Sequence, residues 1–199
     1  MLDRFYLIVD SSEWLERLLP LGVKTVQLRM KDESHAELTH EIIMSRTLCA
    51  QHGATLIVND YWQMALDEGC DFVHLGQEDM DTADFKALKA GGVRIGLSTH
   101  TPEELDRARM FDPDYIALGP IYPTVLKDMT FPPQGLERIG EWKRIIGDMP
   151  LVAIGGLTPE RAKLVLQAGA DSACVVTDIL RNADPEARTR EWVEAVVSV

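Results

Sequence analysis

Eight short apolar runs recur along the chain, at residues 5–9, 23–28, 55–58, 71–75, 93–97, 114–118, 151–154 and 172–176. Most string Val, Ile, Leu and Phe together without strict polar alternation, the pattern of strands buried on both faces by flanking helices. The segments between them carry helix punctuation. Thr101-Pro102-Glu103-Glu104 supplies a cap, a first-turn proline and a glutamate three residues after the cap, and Thr158-Pro159 repeats the cap and proline. Asp10-Ser11-Ser12 offers caps for a first helix, while Gly22, Gly53 and Gly91-Gly92 close others. Repeated strand–helix units in 199 residues, one domain by size, predict a (β/α)₈ barrel, the TIM barrel of the α/β class, over residues 1–199. A doubly wound sheet could use the same units, because closure leaves no local mark.

Composition narrows the partners. An apolar content of 46% is ample for a core, and a net charge of -12 argues against nucleic acid or an anionic membrane, both of which select basic surfaces. Cys49, Cys70 and Cys174 are odd in number and widely spaced, so they read as small buried hydrophobes rather than a disulfide framework or zinc site. The apolar run near the start is too short for a signal peptide, and no later run reaches the ~18 residues that would cross a membrane. A cytoplasmic protein is expected.

In a barrel the carboxyl ends of all strands converge on one rim, where the chemistry of such folds is carried. The polar residues just past these runs are Gln27, Arg29, Lys31, Asn59, Asp60, Asp79, Ser98, Thr124, Lys127, Gly155, Gly156 and Thr177. Arginine grips a phosphate bidentately and lysine offers a compact charge, so Arg29, Lys31 and Lys127 together suit a pyrophosphate. Asp60 and Asp79 suit Mg²⁺, which takes a few carboxylate oxygens and completes its shell with water and substrate phosphate. Gly155-Gly156, ahead of a helix start, lets backbone N–H groups approach a phosphate. Each feature also has a plain reading: cations solvated on a loop, acids capping helices, Asn59 and Ser98 as turn residues. The proline-rich stretch 119–134 is the one long loop and the expected lid.

A nucleophile is missing from this inventory. Ser98-Thr99-His100 is contiguous, His35 and His40 fall on different helix faces, and His74 lies within a strand as a core histidine. Such a site works by stabilising charge on a departing phosphate or pyrophosphate.

Several motifs, taken in order, resemble the thiamine phosphate synthase (thiamine-phosphate pyrophosphorylase) family over essentially the full length. They are Tyr6-Leu7-Ile8-Val9-Asp10, Gln27-Leu28-Arg29-Met30-Lys31, Asn59-Asp60, His74-Leu75-Gly76-Gln77-Glu78-Asp79, Ser98-Thr99-His100-Thr101, Gly119-Pro120-Ile121-Tyr122-Pro123-Thr124 with Lys127, and Ala153-Ile154-Gly155-Gly156. The resemblance implies a transferase of thiamine biosynthesis. It joins 4-amino-5-hydroxymethyl-2-methylpyrimidine diphosphate to 4-methyl-5-(2-phosphooxyethyl)thiazole and releases pyrophosphate. It further implies Mg²⁺ on Asp60 and Asp79, and Gln27, Arg29, Lys31, Asn59, Ser98 and Lys127 around the pyrimidine diphosphate. Of these, Arg29, Lys31, Ser98 and Lys127 would act in catalysis. Thr124, Gly156, Val176 and Thr177 would form the thiazole phosphate pocket, with Gly155 also counted among the substrate-binding residues. The family mechanism is dissociative: pyrophosphate leaves first, and the thiazole nitrogen captures a methylene cation supported by the aminopyrimidine.

Three departures stand out. Leu126 replaces a family threonine, Thr177 replaces a serine, and the first strand begins close to residue 1, where many members carry a helical extension. The resemblance leaves two rivals, a thiazole tautomerase sharing the barrel and a non-catalytic barrel that binds thiazole or thiamine phosphates to regulate a partner. The Asn59-Asp60 and Gly76-Gln77-Glu78-Asp79 signatures speak against the tautomerase. Whether the chain forms a homo-oligomer is left open by its sequence.

Overall fold

A computed structural model describes residues 2–31, 33–124 and 131–197. Eight parallel strands close into a barrel in chain order: β1 (Phe5–Val9), β2 (Thr25–Leu28), β3 (Thr55–Asn59), β4 (Phe72–Leu75), β5 (Arg94–Thr99), β6 (Tyr115–Leu118), β7 (Leu151–Ile154) and β8 (Ser172–Val175). The seam joins β1 to β8, with Phe5 beside Ala173 and Leu7 beside Val175. The expected barrel is therefore the observed one, and the doubly wound sheet is excluded. Between and after them run helices α1 (Ser12–Leu18), α2 (His35–His52), α3 (Trp62–Asp67), α4 (Phe85–Ala90), α5 (Pro102–Arg109), α6 (Gly135–Ile146), α7 (Pro159–Gln167), α8 (Thr177–Leu180) and α9 (Pro185–Val197).

Burial separates into two shells because successive strand residues face opposite sides. Phe5, Leu7 and Val9 point outward with Leu15, Trp142 and Trp192 into the layer between barrel and helices. Phe5 stacks on Trp192 with centroids 5.5 Å apart. Tyr6, Ile8, Ile57, Phe72, Tyr115, Ala117, Val152 and Cys174 fill the barrel itself. All three cysteines are free and buried, and burial raises their thiols, that of Cys70 to about 11.

Local differences from expectation trace to side-chain hydrogen bonds. The helix expected over 82–89 begins only at Phe85, because Asp84 Oδ1 accepts from the backbone N–H groups of Lys86 and Ala87 at 3.0 and 2.9 Å. A 3₁₀ turn, Asp79–Asp81, takes the residues before it. Ser11 stands at the cap of α1 without a side-chain cap bond, and the Ser12 N–H is instead taken by the Glu41 carboxylate of α2. Thr101 does accept from the Glu104 N–H, but the Glu104 carboxylate turns to the His100 N–H, so the reciprocal half of the expected box is absent. A full capping box forms instead at α2, between Ser34 and Glu37. Val176, expected within the last strand, lies after its end and leads into α8. Lys127 and Leu126 lie outside the described residues.

Candidate active site

The carboxyl end of the barrel opens onto a pocket of about 540 Å³ lined by residues of all eight strands. Gln27, Arg29, Lys31, Asn59, Asp60, Asp79 and Ser98 all line it. Their convergence follows from parity. Gln27 pairs with Ile8 and Ile57, and Asn59 with His74, so one set of alternate positions faces the lumen. Arg29 and Lys31 continue the Gln27 parity beyond β2, and the Arg29 N–H still bonds Val9 O at 2.8 Å. A second depression of about 440 Å³ shares Ile8, Arg29 and Lys31 with this pocket and adds Asp10, Ser11 and Val176.

Asp60 sits at φ 62°, a left-handed conformation that turns the chain sharply out of β3. Its N–H bonds His74 O at 2.9 Å. Burial raises its carboxyl to about 6, and the neighbouring Asp79 carboxylate, within hydrogen-bonding reach, adds to the shift against the opposing pull of Arg29 and Lys31. Asp79 is itself oriented by the Gly76 N–H, which donates to Oδ2 at 3.1 Å. Two crowded carboxylates beside two cations are a donor set that a hard divalent cation relieves, and Mg²⁺ fits it. Among the described residues no group of three or more His, Cys, Asp or Glu converges as a metal cage, so the remaining ligands of such an ion would be water and substrate oxygens.

The turn carrying Asp79 is pinned from two sides. Gln77 Nε2 donates to Ser98 O at 2.7 Å, and Arg107 of α5 donates to Gln77 O at 3.0 Å while pairing with Asp81. Opposite it, His100 is held by Glu104, which accepts from both its N–H at 2.7 Å and its ring Nδ1 at 2.8 Å. The His100 ring stacks on Phe131 with centroids 4.6 Å apart. Ser98 and His100, two apart in sequence, therefore point to different partners.

The pocket floor is a connected set of buried polar groups. Gln27 Nε2 donates to Tyr6 Oη at 2.7 Å, Tyr6 Oη lies 2.9 Å from Tyr115 Oη, His74 Nδ1 lies 2.7 Å from Tyr115 Oη, and His74 Nε2 lies 2.7 Å from Ser98 Oγ. Burial drives His74 down to about 4, keeping the imidazole neutral, and raises both phenols. His74 is the satisfied core histidine expected from its strand position, yet it also lines the pocket. Gly96 makes room for this floor: a Cβ there would lie 2.1 Å from Tyr115 Cε1.

Thr124, Gly155, Gly156 and Thr177 lie outside the pocket lining, past the ends of β6, β7 and β8. Gly156 is packed tightly under the chain that follows β6. Its φ is +63°, and a Cβ would meet Pro123 O at 2.4 Å. The Tyr122 N–H bonds Gly155 O at 3.0 Å, tying the two loops together. Thr158 caps α7 beside them.

The sequence reading missed Tyr6, Tyr115, Gln77, Glu78, Glu104 and Phe131 as lining residues and His74 and His100 as polar participants. Parity counted from Gln27 could have flagged Tyr6 and His74. Nothing local pointed to Phe131.

A thiamine monophosphate synthase family model matches residues 5–179. The thiamine-phosphate synthase of Rhizobium etli is 60% identical over 194 residues, covering 98% of this chain and 95% of that protein. The thiamine-phosphate synthase of Citrobacter koseri is 46% identical, covering 98% and 89% respectively. The solved thiamine phosphate pyrophosphorylase of Pyrococcus furiosus superposes with a TM-score of 0.87 at 27% identity, covering 98% of this chain and 96% of that one. By sequence match, relatives and fold, the chain belongs to the thiamine monophosphate synthase family.

Proposed function

We propose that the pocket binds 4-amino-5-hydroxymethyl-2-methylpyrimidine diphosphate and transfers its pyrimidinylmethyl group to the nitrogen of a thiazole phosphate, releasing pyrophosphate. The observation that carries this is the meeting of Arg29 and Lys31 with the carboxylates of Asp60 and Asp79 in one pocket floored by neutral hydrogen-bonding groups. Arg29 and Lys31 hold the leaving pyrophosphate by charge-assisted hydrogen bonds, and Lys127, outside the described residues, is the third cation of this reading. Asn59 and Ser98 orient its oxygens, and Gln27 sits deeper, toward the pyrimidine. When bound at Asp60 and Asp79, Mg²⁺ would supply neutralising charge to the diphosphate. Thr124, Gly155, Gly156, Val176 and Thr177 receive the thiazole phosphate, beside the amino end of α7.

The charged groups of the described lining, two cations beside two carboxylates, are suited to stabilising a leaving group, which supports departure of pyrophosphate before the new carbon–nitrogen bond forms. Capture of the resulting cation needs only the thiazole nitrogen held nearby. Small molecules are thus the partners, and a cytoplasmic setting supplies both substrates. No helix among the described residues is long and apolar enough to cross a membrane.

The test is thiamine phosphate formation by purified protein from the two substrates, with Mg²⁺ and again with excess chelator. Product that depends on Mg²⁺ is expected. Folded protein that binds thiazole phosphate without turnover in either condition would overturn the synthase reading in favour of a tautomerase or a regulatory binder.

A further inference from the structure

The hydrogen-bonded floor of the pocket has a direction, and that direction fixes what Ser98 can offer a ligand. Gln27 donates its amide N–H to Tyr6 Oη at 2.7 Å. Tyr6 must then place its own proton elsewhere, and the hydrogen bonds among the described residues give it no acceptor but Tyr115 Oη, at 2.9 Å. Tyr6 is 1% exposed and Tyr115 fully buried, so a stranded hydroxyl proton would cost the desolvation of an unsatisfied donor. With Tyr115 accepting from Tyr6, its proton goes to His74 Nδ1 at 2.7 Å. A neutral imidazole whose Nδ1 accepts carries its hydrogen on Nε2, and that hydrogen is donated to Ser98 Oγ at 2.7 Å. The Ser98 hydroxyl proton is left over, on a half-buried side chain lining the pocket.

The reverse order would have Ser98 donating to His74, His74 to Tyr115 and Tyr115 to Tyr6. With Gln27 presenting its amide N–H to Tyr6 Oη, it leaves the Tyr6 proton buried with nowhere to go. It would also present the lone pairs of Ser98 to the ligand, which repel phosphate oxygens and pyrimidine ring nitrogens alike.

The geometry points to a positioning relay in which Tyr6, Tyr115 and His74 leave the Ser98 hydroxyl hydrogen free to be donated to the substrate, with His74 in its Nε2–H tautomer. The relay rests on the synthase reading only for the identity of the acceptor, a diphosphate oxygen or a ring nitrogen of the pyrimidine diphosphate. His74, Tyr115 and Tyr6 act through Ser98.

Two measurements test this. Long-range ¹H–¹⁵N spectra of the ¹⁵N-labelled protein at neutral pH read the tautomer directly, with the His74 signals identified by their loss in His74→Gln. A proton on Nε2 and a bare Nδ1 are expected. A proton on Nδ1, or on both nitrogens, would overturn the relay, whatever the enzyme's activity. The second measurement is a cycle of Ser98→Ala and Tyr115→Phe read as kcat/KM for the pyrimidine diphosphate. Ser98→Ala should lose roughly 10–100-fold, as for loss of a hydrogen bond to a charged group, and Tyr115→Phe about tenfold. Because Tyr115 acts through Ser98, the double variant should fall no more than about twofold below Ser98→Ala. Losses that multiply would show Tyr115 acting independently and refute the proposal. If the parent protein makes no thiamine phosphate, the synthase reading fails while the tautomer measurement still decides the relay.

Discussion

Replacing Gly96 by alanine should damage the protein far more than a one-carbon change in a strand ordinarily does. The ideal Cβ would lie 2.1 Å from both Cε1 and Cζ of Tyr115 and 2.6 Å from its Oη. Relaxed carbon contacts are about 3.5–4.0 Å, so the ring would have to withdraw by about 1.5 Å. It has no room to do so. The ring is stacked on His74 at 5.5 Å and meets Phe72 and Tyr6 edge-on at 5.6 and 6.2 Å. Such a shift also stretches the 2.9 and 2.7 Å bonds to Tyr6 and His74 beyond hydrogen-bonding range. Overpacking costs ~1–3 kcal/mol and each buried polar group left unsatisfied a similar amount, giving ~3–5 kcal/mol once partial relaxation is allowed. At ~2–4 °C per kcal/mol for a domain of this size, the melting temperature should fall by ~6–20 °C. Urea denaturation followed by circular dichroism measures the free-energy loss, and thermal unfolding the shift in melting temperature. The control is the same change in a Tyr115→Ala background, where Gly96→Ala should cost less than ~1 kcal/mol because the opposing ring is gone. A loss below ~1 kcal/mol in the parent, or an equal loss in both backgrounds, would refute the reasoning.

Gly156→Ala meets backbone rather than a side chain, with Pro123 O at 2.4 Å and a φ of +63°, so the 120–124 segment must shift. We expect KM for thiazole phosphate to rise about tenfold, with a smaller change for the pyrimidine diphosphate, in steady-state kinetics that vary each substrate separately. Arg107→Ala removes the hold of α5 on Gln77 and Asp81. Exposed ion pairs contribute only ~0–1 kcal/mol, so stability should barely change while a Mg²⁺ titration of activity shifts several-fold to higher concentration. The folded pKa of His74, about 4, lies below the ordinary histidine value, so the unfolded chain takes up the proton first. The stability from keeping His74 neutral is complete above pH ~6.5 and declines toward pH ~4, by ~2 kcal/mol at pH 5. Urea curves of the parent and His74→Gln at pH 7 and pH 5 should show their stability gap narrowing by that amount, and a gap independent of pH would contradict it.

Much of the architecture was legible because its determinants are local. Runs such as 151–154 needed only neighbouring residues to read as buried strands, and the Thr158-Pro159 start of α7 was found where its cap and proline placed it. The acids and cations at the strand tips could be named for the same reason. The less accurate boundaries came where a side chain reached further: Asp84 recapping α4, Glu41 taking the Ser12 N–H, and Glu104 turning to His100. Each is a competition between hydrogen-bond partners that periodicity does not record.

Closure and convergence were settled elsewhere. The β1–β8 seam joins Phe5 to Ala173 across nearly the whole chain, and its register is a property of all the strand pairs together. That register turned Gln27, Asn59, His74, Ser98 and Tyr115 into one lumen and gave Gly96 its purpose opposite the Tyr115 ring. Local pattern set which segments would be strands and which polar residues would stand at their ends. Only the closed barrel decided which of those residues meet and which way their hydrogen bonds run, because contact and proton direction depend on partners that lie far away along the chain.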